Sequence, residues 1–275
     1  MGNEQRYLIC ADSDGCAIDT MTIKHQRCFG PCLIQVWNLS PWEEPILRLW
    51  EEINLYSMSR GINRFKGLLQ ILKEINERYC SIDGLCELQK WCDTTKAFSE
   101  QTLKETLVEH PNAKALQKAL LWSQMVNWSI EQLNPSEKRA FCGVKEALAL
   151  AGKYADIAIV SSANRSAVEE EWKRCGLLSL VTHLMSQDVG TKEYCLEKLK
   201  ENGYSPSHIL MIGDAPGDLF AARHVGVSFY PVLVGRETES WKLFQEKILK
   251  TFLDGNYHTM YEKTLIQQFE ENLTR

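Results

Sequence analysis

No stretch of the sequence approaches the roughly 18 consecutive apolar residues a membrane-spanning helix needs, so an integral membrane protein is not expected. Near its start the only apolar run is Tyr7 to Ala11, too short for the core of a secretion signal, which is not expected either. An excess of positive charge is also missing: 31 Lys and Arg against 36 Asp and Glu leave a formal net charge of −5. Such a balance argues against partnership with nucleic acid or an anionic membrane. Neither a Gly-x-Gly-x-x-Gly nor a Gly-x4-Gly-Lys pattern occurs, so nothing points to a nucleotide cofactor. No cysteines are spaced Cys-x-x-Cys, the nearest pair being Cys28 and Cys32, and no histidine cluster completes a zinc set. Ten cysteines spread over 275 residues then read as free thiols of a reducing cytoplasm. What remains is an ordinary globular composition, 44% hydrophobic and 24% charged, long enough for one large domain or two modest ones.

The texture of the chain changes twice. Tyr7-Leu-Ile-Cys-Ala11 is a continuous apolar run, as a strand buried on both faces requires, and it ends in Asp12-Ser-Asp-Gly15. Over residues 21–134 the apolar residues recur at helical spacing instead, as in Ile46, Leu49, Trp50 and Ile53, or Leu68, Leu69, Leu72 and Ile75. Breakers fall at Pro41, Gly61, Gly84 and Pro111, and six of the eight tryptophans lie here, expected as core rather than a stacking box for a ligand. This segment predicts an all-helical unit. From residue 135 strands and helices alternate. The pattern predicts a helix over 137–151 capped by Ser136, a strand at Ile157–Val160, a helix over 165–175, and a weaker strand near Leu180 to Met185. It continues with a helix over 191–202, a strand at Ile209–Ile212, a helix over 217–225, a strand from Ser228 to Val234, and two helices broken near Gly255. Alternation of this kind implies right-handed crossovers and a mostly parallel sheet with helices on both faces, an α/β fold. Residues 1–20 and 135–275 then form one α/β domain, interrupted after its first strand by the helical unit. An insertion at the C-terminal end of a strand, where such sheets bind ligands, is expected to act as a cap.

Four places at strand ends carry candidate chemistry. In Asp12-Ser-Asp14-Gly15 one carboxylate can act as nucleophile while the other protonates a leaving oxygen and later activates water. Ser161 and Ser162, at the end of an apolar strand and just before a helix, suit phosphate oxygens. Lys192, at the head of a helix where the macrodipole disfavours a cation, can neutralise a phosphate or crowded carboxylates. Asp214 and Asp218, in Gly213-Asp-Ala-Pro-Gly-Asp218, join Asp12 as hard oxygen ligands for an octahedral Mg2+. Taken singly, each also fits an ordinary turn, helix cap or solvated lysine. Together they converge, and carboxylates crowded in a poorly solvated cleft repel one another by several kcal/mol without a cation.

In combination these residues resemble the haloacid dehalogenase-like superfamily. Asp12-x-Asp14-Gly15 with Asp19-Thr20 is similar to its first motif, Ser161 to its second, Lys192 to its third, and Gly213-Asp214-x-x-x-Asp218 to its fourth. The resemblance implies a Rossmann-like, doubly wound parallel sheet with an inserted helical cap of the type called C1. It implies a Mg2+-dependent phosphatase acting on a small phosphorylated metabolite, in which Asp12 forms an aspartyl-phosphate that water then hydrolyses. Asp14 would be the acid/base, Ser161 and Lys192 would hold the phosphoryl group, and Asp12, the Asp14 carbonyl, Asp214 and Asp218 would hold the metal. Ser13 and Cys16 depart from the Phe and Thr common in the first motif. Dehalogenases and phosphonoacetaldehyde hydrolases of the superfamily lack the second aspartate, so Asp14 argues against both. A phosphomutase remains an alternative, with Lys24 and His25 near the place of the mutases' cap histidine; so does a non-catalytic binder of phosphorylated ligands. Arg60 and Arg64, around Gly61, are candidates to meet an anionic leaving group, and a solvated helix start fits them equally well.

Overall fold

The computed structural model describes residues 6–274; residues 1–5, the start of the first expected core segment, and residue 275 lie outside the described residues. The chain divides into two compact units, one of Met1–Met21 with Pro135–Arg275, the other of Thr22–Asn134.

The second unit is all helical among its described residues. Helix α1 (Met21–Lys24) crosses into it and runs through a π-helical segment, His25–Phe29, into α2 (Gly30–Trp37). There follow α3 (Glu43–Leu55), α4 (Arg64–Arg78), α5 (Leu85–Thr94), α6 (Glu100–Glu109) and α7 (Lys114–Gln132). The breaks fall where the sequence places its breakers. Pro41 lies in a short 3-10 turn, Ser40–Trp42, and Gly61 and Gly84 adopt the left-handed region. The core is the helical-period stripe: Ile46, Trp50 and Ile53 of α3, Phe65, Leu68, Leu72 and Ile75 of α4, and Leu116, Ala119, Trp122 and Val126 of α7. Trp50 and Trp122 meet edge-on at 5.9 Å, and the Trp122 indole donates to the Phe29 carbonyl at 3.2 Å. Trp37, Trp50, Trp91 and Trp122 are therefore core; Trp128 is exposed.

The first unit carries β1 (Tyr7–Ala11), β2 (Ile18–Asp19), β3 (Arg139–Ala140), β4 (Ala155–Val160), β5 (His183–Met185), β6 (Ile209–Gly213) and β7 (Ser228–Pro231). Its helices are α8 (Val144–Ala151), α9 (Arg165–Arg174), α10 (Lys192–Glu201), α11 (Pro216–Val225), α12 (Glu237–Leu243), α13 (Leu249–Leu253) and α14 (Lys263–Asn272). Five strands form one sheet in the order β5-β4-β1-β6-β7, all parallel. Alternate residues feed two cores, which is why the strands read as unbroken apolar runs. Ile9, Ala11, Ile157, Ile159, Leu210 and Ile212 face α8, α9, α12 and α13, whereas Leu8, Cys10, Ala158, Val160, Ile209 and Met211 face α10, α11 and α14. This is an α/β, Rossmann-like doubly wound sheet.

Some expected boundaries are corrected. The helix expected over 137–151 starts only at Val144, after Gly143 in the left-handed region, so Ser136 does not cap it. Arg139 and Ala140 are taken instead by an antiparallel pairing with Asp19 and Ile18, an interaction across 120 positions that no local pattern announces. The strand near Leu180 is shorter because Leu178–Leu180 forms a 3-10 turn, and β7 stops at Pro231, short of Val234. All ten cysteines are free. No helix among the described residues is long and apolar enough to cross a membrane.

Candidate active site

The strand order puts β1 in the centre with β4 and β6 on either side, and the loops leaving these three strands carry most of the candidate residues. Ala11 is level with Ile159 on one side and Ile212 on the other, so Asp12 emerges level with the ends of both neighbours. Its N–H donates to the Ile212 carbonyl at 2.9 Å. The chain then turns tightly: the Ser13 carbonyl accepts the N–H groups of Ala17 (3.0 Å) and Ile18 (2.8 Å), and Gly15 donates to Ile18 at 2.8 Å. Gly15 has φ +83°, a conformation only glycine takes freely, so the turn that follows Asp12 requires it. Asp14 lies inside this turn, and the buried Thr20 hydroxyl donates to its Oδ1.

Beyond β6, Asp214 and Asp218 are both fully buried. Asp218 is the third residue of α11 and accepts the Ala215 N–H at 3.1 Å, so it also caps its own helix. A Cβ on Gly213 would collide with the Asp218 carboxylate, and glycine there is a condition of the close approach. Lys192 is the first residue of α10, whose cap is the Thr191 hydroxyl accepting the Tyr194 N–H at 3.3 Å. Its ammonium bridges Asp12 at 3.0 Å and Asp218 at 2.5 Å, which offsets the unfavourable position at a helix N-terminus. Ser161 follows β4, donating its N–H to Met185 at 2.9 Å and accepting the Ala163 N–H on Oγ at 3.2 Å. Ser162 is exposed beside it, and Asn164 caps α9.

Asp12, Asp214 and Asp218 each offer an oxygen within 4.8 Å of the others, the only such group among the described residues. Burial pushes the Asp12 carboxyl up to about 7; Lys192 pulls the other way and Asp218 adds to the rise. Burial raises Asp218 too, again against the pull of Lys192. Burial disfavours the Lys192 charge, but the two carboxylates outweigh it and hold the ammonium above its ordinary range. Three buried carboxylates whose oxygens converge form an all-oxygen donor set, which a hard divalent cation fits.

Arg60, Arg64, Lys24 and His25 belong to the helical unit, where contacts of Arg60, Arg64 and His25 are seen. Arg60 is buried and donates to the Leu55 carbonyl at 2.9 Å. Arg64 donates to Asn127 Oδ1 at 2.7 Å and Ser123 Oγ at 3.2 Å, with Phe29 beneath its guanidinium. Lys24 is buried, and His25 Nδ1 accepts the Trp50 indole N–H at 3.1 Å while its ring stacks on Phe29.

The model of the family described as haloacid dehalogenase-like hydrolases matches residues 62–232, more than half of the chain. The chain belongs to this family. It is therefore a hydrolase by descent. The matched span includes Ser161, Lys192, Asp214 and Asp218 and begins after Asp12. No curated protein matches the sequence. Among solved structures the fold is similar to a haloacid dehalogenase-like family hydrolase from Streptococcus pneumoniae, at 11% identity over 86% of this chain and 91% of that one, TM-score 0.53. It is also similar to a protein assigned as beta-phosphoglucomutase from Thermotoga maritima (14% identity, 92% and 100% covered, TM-score 0.51). A third is a protein assigned as phosphoglycolate phosphatase from Lactobacillus delbrueckii subsp. bulgaricus (13% identity, 82% and 84% covered, TM-score 0.50). At these identities the likeness is one of fold.

Within this haloacid dehalogenase-like site, several residues escape a reading of the sequence. Thr20 belongs to the first motif with no role legible in the sequence, and its hydroxyl holds Asp14. Cys16, buried against Ile212, lies close enough for Asp214 and Asp12 to push its thiol up further after burial has done most of it. Trp172 donates to Ser13 and Trp241 to the Cys16 carbonyl, contacts over 159 and 225 positions that no sequence signal marks.

Proposed function

We propose that the protein is a Mg2+-dependent phosphomonoesterase acting on a small phosphorylated metabolite through an aspartyl-phosphate. The observation that carries this reading is the junction of Asp12 with Lys192, Asp214 and Asp218, with Asp14 in the same turn. In the proposed reaction a carboxylate oxygen of Asp12 attacks phosphorus and the ester P–O bond breaks. Asp14 gives its proton to the departing oxygen. Asp14 then takes a proton from water, whose oxygen attacks phosphorus, releasing inorganic phosphate and restoring Asp12. Ser161, Ser162 and Lys192 bind the phosphoryl oxygens, Lys192 exchanging part of its pairing with Asp12 for the substrate. Asp12, the Asp14 carbonyl and Asp214 would hold Mg2+, with Asp218 acting through water because Lys192 and the Ala215 N–H already occupy its oxygens. When bound, Mg2+ supplies the positive charge that lets a phosphate dianion approach these carboxylates.

Recognition of the leaving group is assigned in the same proposal to the helical unit as a cap, with Arg60 and Arg64 as its candidates. Ten free cysteines support a cytoplasmic setting. The test is turnover of p-nitrophenyl phosphate and a panel of phosphorylated metabolites with Mg2+. Release of inorganic phosphate that is lost in Asp12→Asn and in EDTA supports the reading. Phosphoryl transfer to a second hydroxyl without phosphate release would favour a mutase, and binding without turnover of any phosphoester would favour a non-catalytic binder.

A further inference from the structure

We propose that Trp172 and Trp241 are positioning residues for the nucleophile, two indoles that clamp the loop carrying Asp12. The inference rests on the reading of Asp12 as the attacking group. The α/β unit has just these two tryptophans, the other six lying in the helical unit, and both spend their N–H on this one loop. Trp172, from α9, donates to Ser13 Oγ at 2.9 Å; Trp241, from α12, donates to the Cys16 carbonyl at 2.9 Å. Both indoles, Ser13 and Cys16 are fully buried, so neither bond can be exchanged for one to water.

The two anchor points bracket the turn. Ser13 follows Asp12 directly, its N–H favours the charged Asp12 carboxylate, and its carbonyl receives the Ala17 and Ile18 N–H groups. Cys16 closes the other side and its thiol points to the Ile212 carbonyl. The sheet itself holds Asp12 at a single point, its own N–H to Ile212. Beyond the turn's own hydrogen bonds, the Cys16 thiol and the pairing of Ile18 with Ala140, the loop is tied to α9 and α12 through these rigid, two-torsion side chains. Ser13, which stands where the family commonly has Phe, provides the hydroxyl that the Trp172 indole meets. In-line attack on phosphorus demands the carboxylate oxygen within a few tenths of an ångström of its productive place, so loosening the loop acts on kcat.

The test compares Ser13→Ala, Trp172→Phe, their double variant and Trp241→Phe with Val168→Ala, which loses buried packing from α9 but no bond to the loop. Two quantities are read: kcat and KM for p-nitrophenyl phosphate with Mg2+, and amide hydrogen exchange of residues 12–18. The expected result is a kcat lowered about tenfold in each single variant with KM nearly unchanged, and no further loss in the double variant. Exchange over residues 12–18 accelerates about tenfold or more, while Val168→Ala keeps wild-type kcat and loop protection. Variants that lose only thermal stability and keep kcat overturn the proposal, as does a loosened loop with unchanged kcat. If the wild type turns over no phosphoester, the phosphatase reading fails instead, and loop exchange alone decides whether the indoles clamp it.

Discussion

Replacing Lys192 with Met keeps the length and apolar stem of the side chain and removes only the ammonium that bridges Asp12 and Asp218. The three side chains are 13%, 7% and 0% exposed, so solvent screening takes little from the interaction. Removing one partner of a buried ion pair costs about 3–5 kcal/mol, because the charge left behind has no water to turn to. Here two carboxylates are left, but they can take up protons. Asp12 is already pushed up to about 7 with the lysine in place and rises further without it. A carboxyl raised in the folded state binds its proton more tightly there than in the unfolded chain, so its burden appears as pH climbs through the folded value. The deficit of Lys192→Met should therefore be small near pH 5 and reach about 3 kcal/mol near pH 8, or roughly 10 °C in Tm for a protein of this size. Urea and thermal unfolding at the two pH values, with and without Mg2+, measure it. Mg2+ should stabilise the variant more than the wild type, since it supplies the missing positive charge to the folded state alone. A loss below about 1 kcal/mol at pH 8, or a loss independent of pH, would refute the reasoning that the ammonium holds these carboxylates together.

Three further outcomes are expected. Thr20→Val removes the hydroxyl that donates to Asp14, and kcat for phosphoester hydrolysis should fall about tenfold with KM unchanged; equal kcat would show that Asp14 is placed without it. Gly213→Ala drives a Cβ into Asp218, and should abolish most activity and weaken Mg2+ binding measured calorimetrically, whereas Gly217→Ala, whose Cβ meets open space, should leave both intact. At Asp156 burial opposes the charge, but hydrogen bonds from Tyr204 (2.7 Å) and Arg6 (2.6 Å) outweigh it and hold the carboxyl below its ordinary value. Its contribution is present above the unfolded value near 4 and is lost as pH falls through the lower folded value, so Asp156→Asn should flatten the fall of Tm below about pH 4. Parallel Tm curves for variant and wild type would count against the Arg6–Asp156–Tyr204 cluster.

What a sequence can show depends on how local the cause is. The strands Tyr7–Ala11 and Ile209–Gly213 are visible as apolar runs because both faces of a parallel sheet are covered, and the helices of the Thr22–Asn134 unit because their stripes repeat every turn. Asp12 and Asp214 directly follow strands and Asp218 lies in the first turn of the next helix, so their meeting follows once the sheet order is granted. Lys192 is different: nothing around it distinguishes it from a solvated lysine until α10 delivers it between two acids. The start of α8 is misjudged because Arg139 and Ala140 are claimed by Asp19 and Ile18, and the partners that hold Arg64, Ser123 and Asn127, lie on another helix where no local pattern announces them. In each case the deciding partners lie more than twenty residues away, beyond the reach of periodicity or capping rules.

The centre of the sheet is the part of this sequence made earliest and paired latest. Tyr7 waits for Ala155 and Leu8 for Ile209, and in between a ribosome must deliver the whole of Thr22–Asn134, whose packing is among its own helices. The helical unit can thus complete its core while the strand bearing Asp12 is still without either neighbour. Asp214 arrives only when four-fifths of the chain exists, and Lys192 shortly before it. On the proposed reading, a product that stops before Lys192 and Asp214 therefore holds Asp12 without the groups that it meets in the finished sheet.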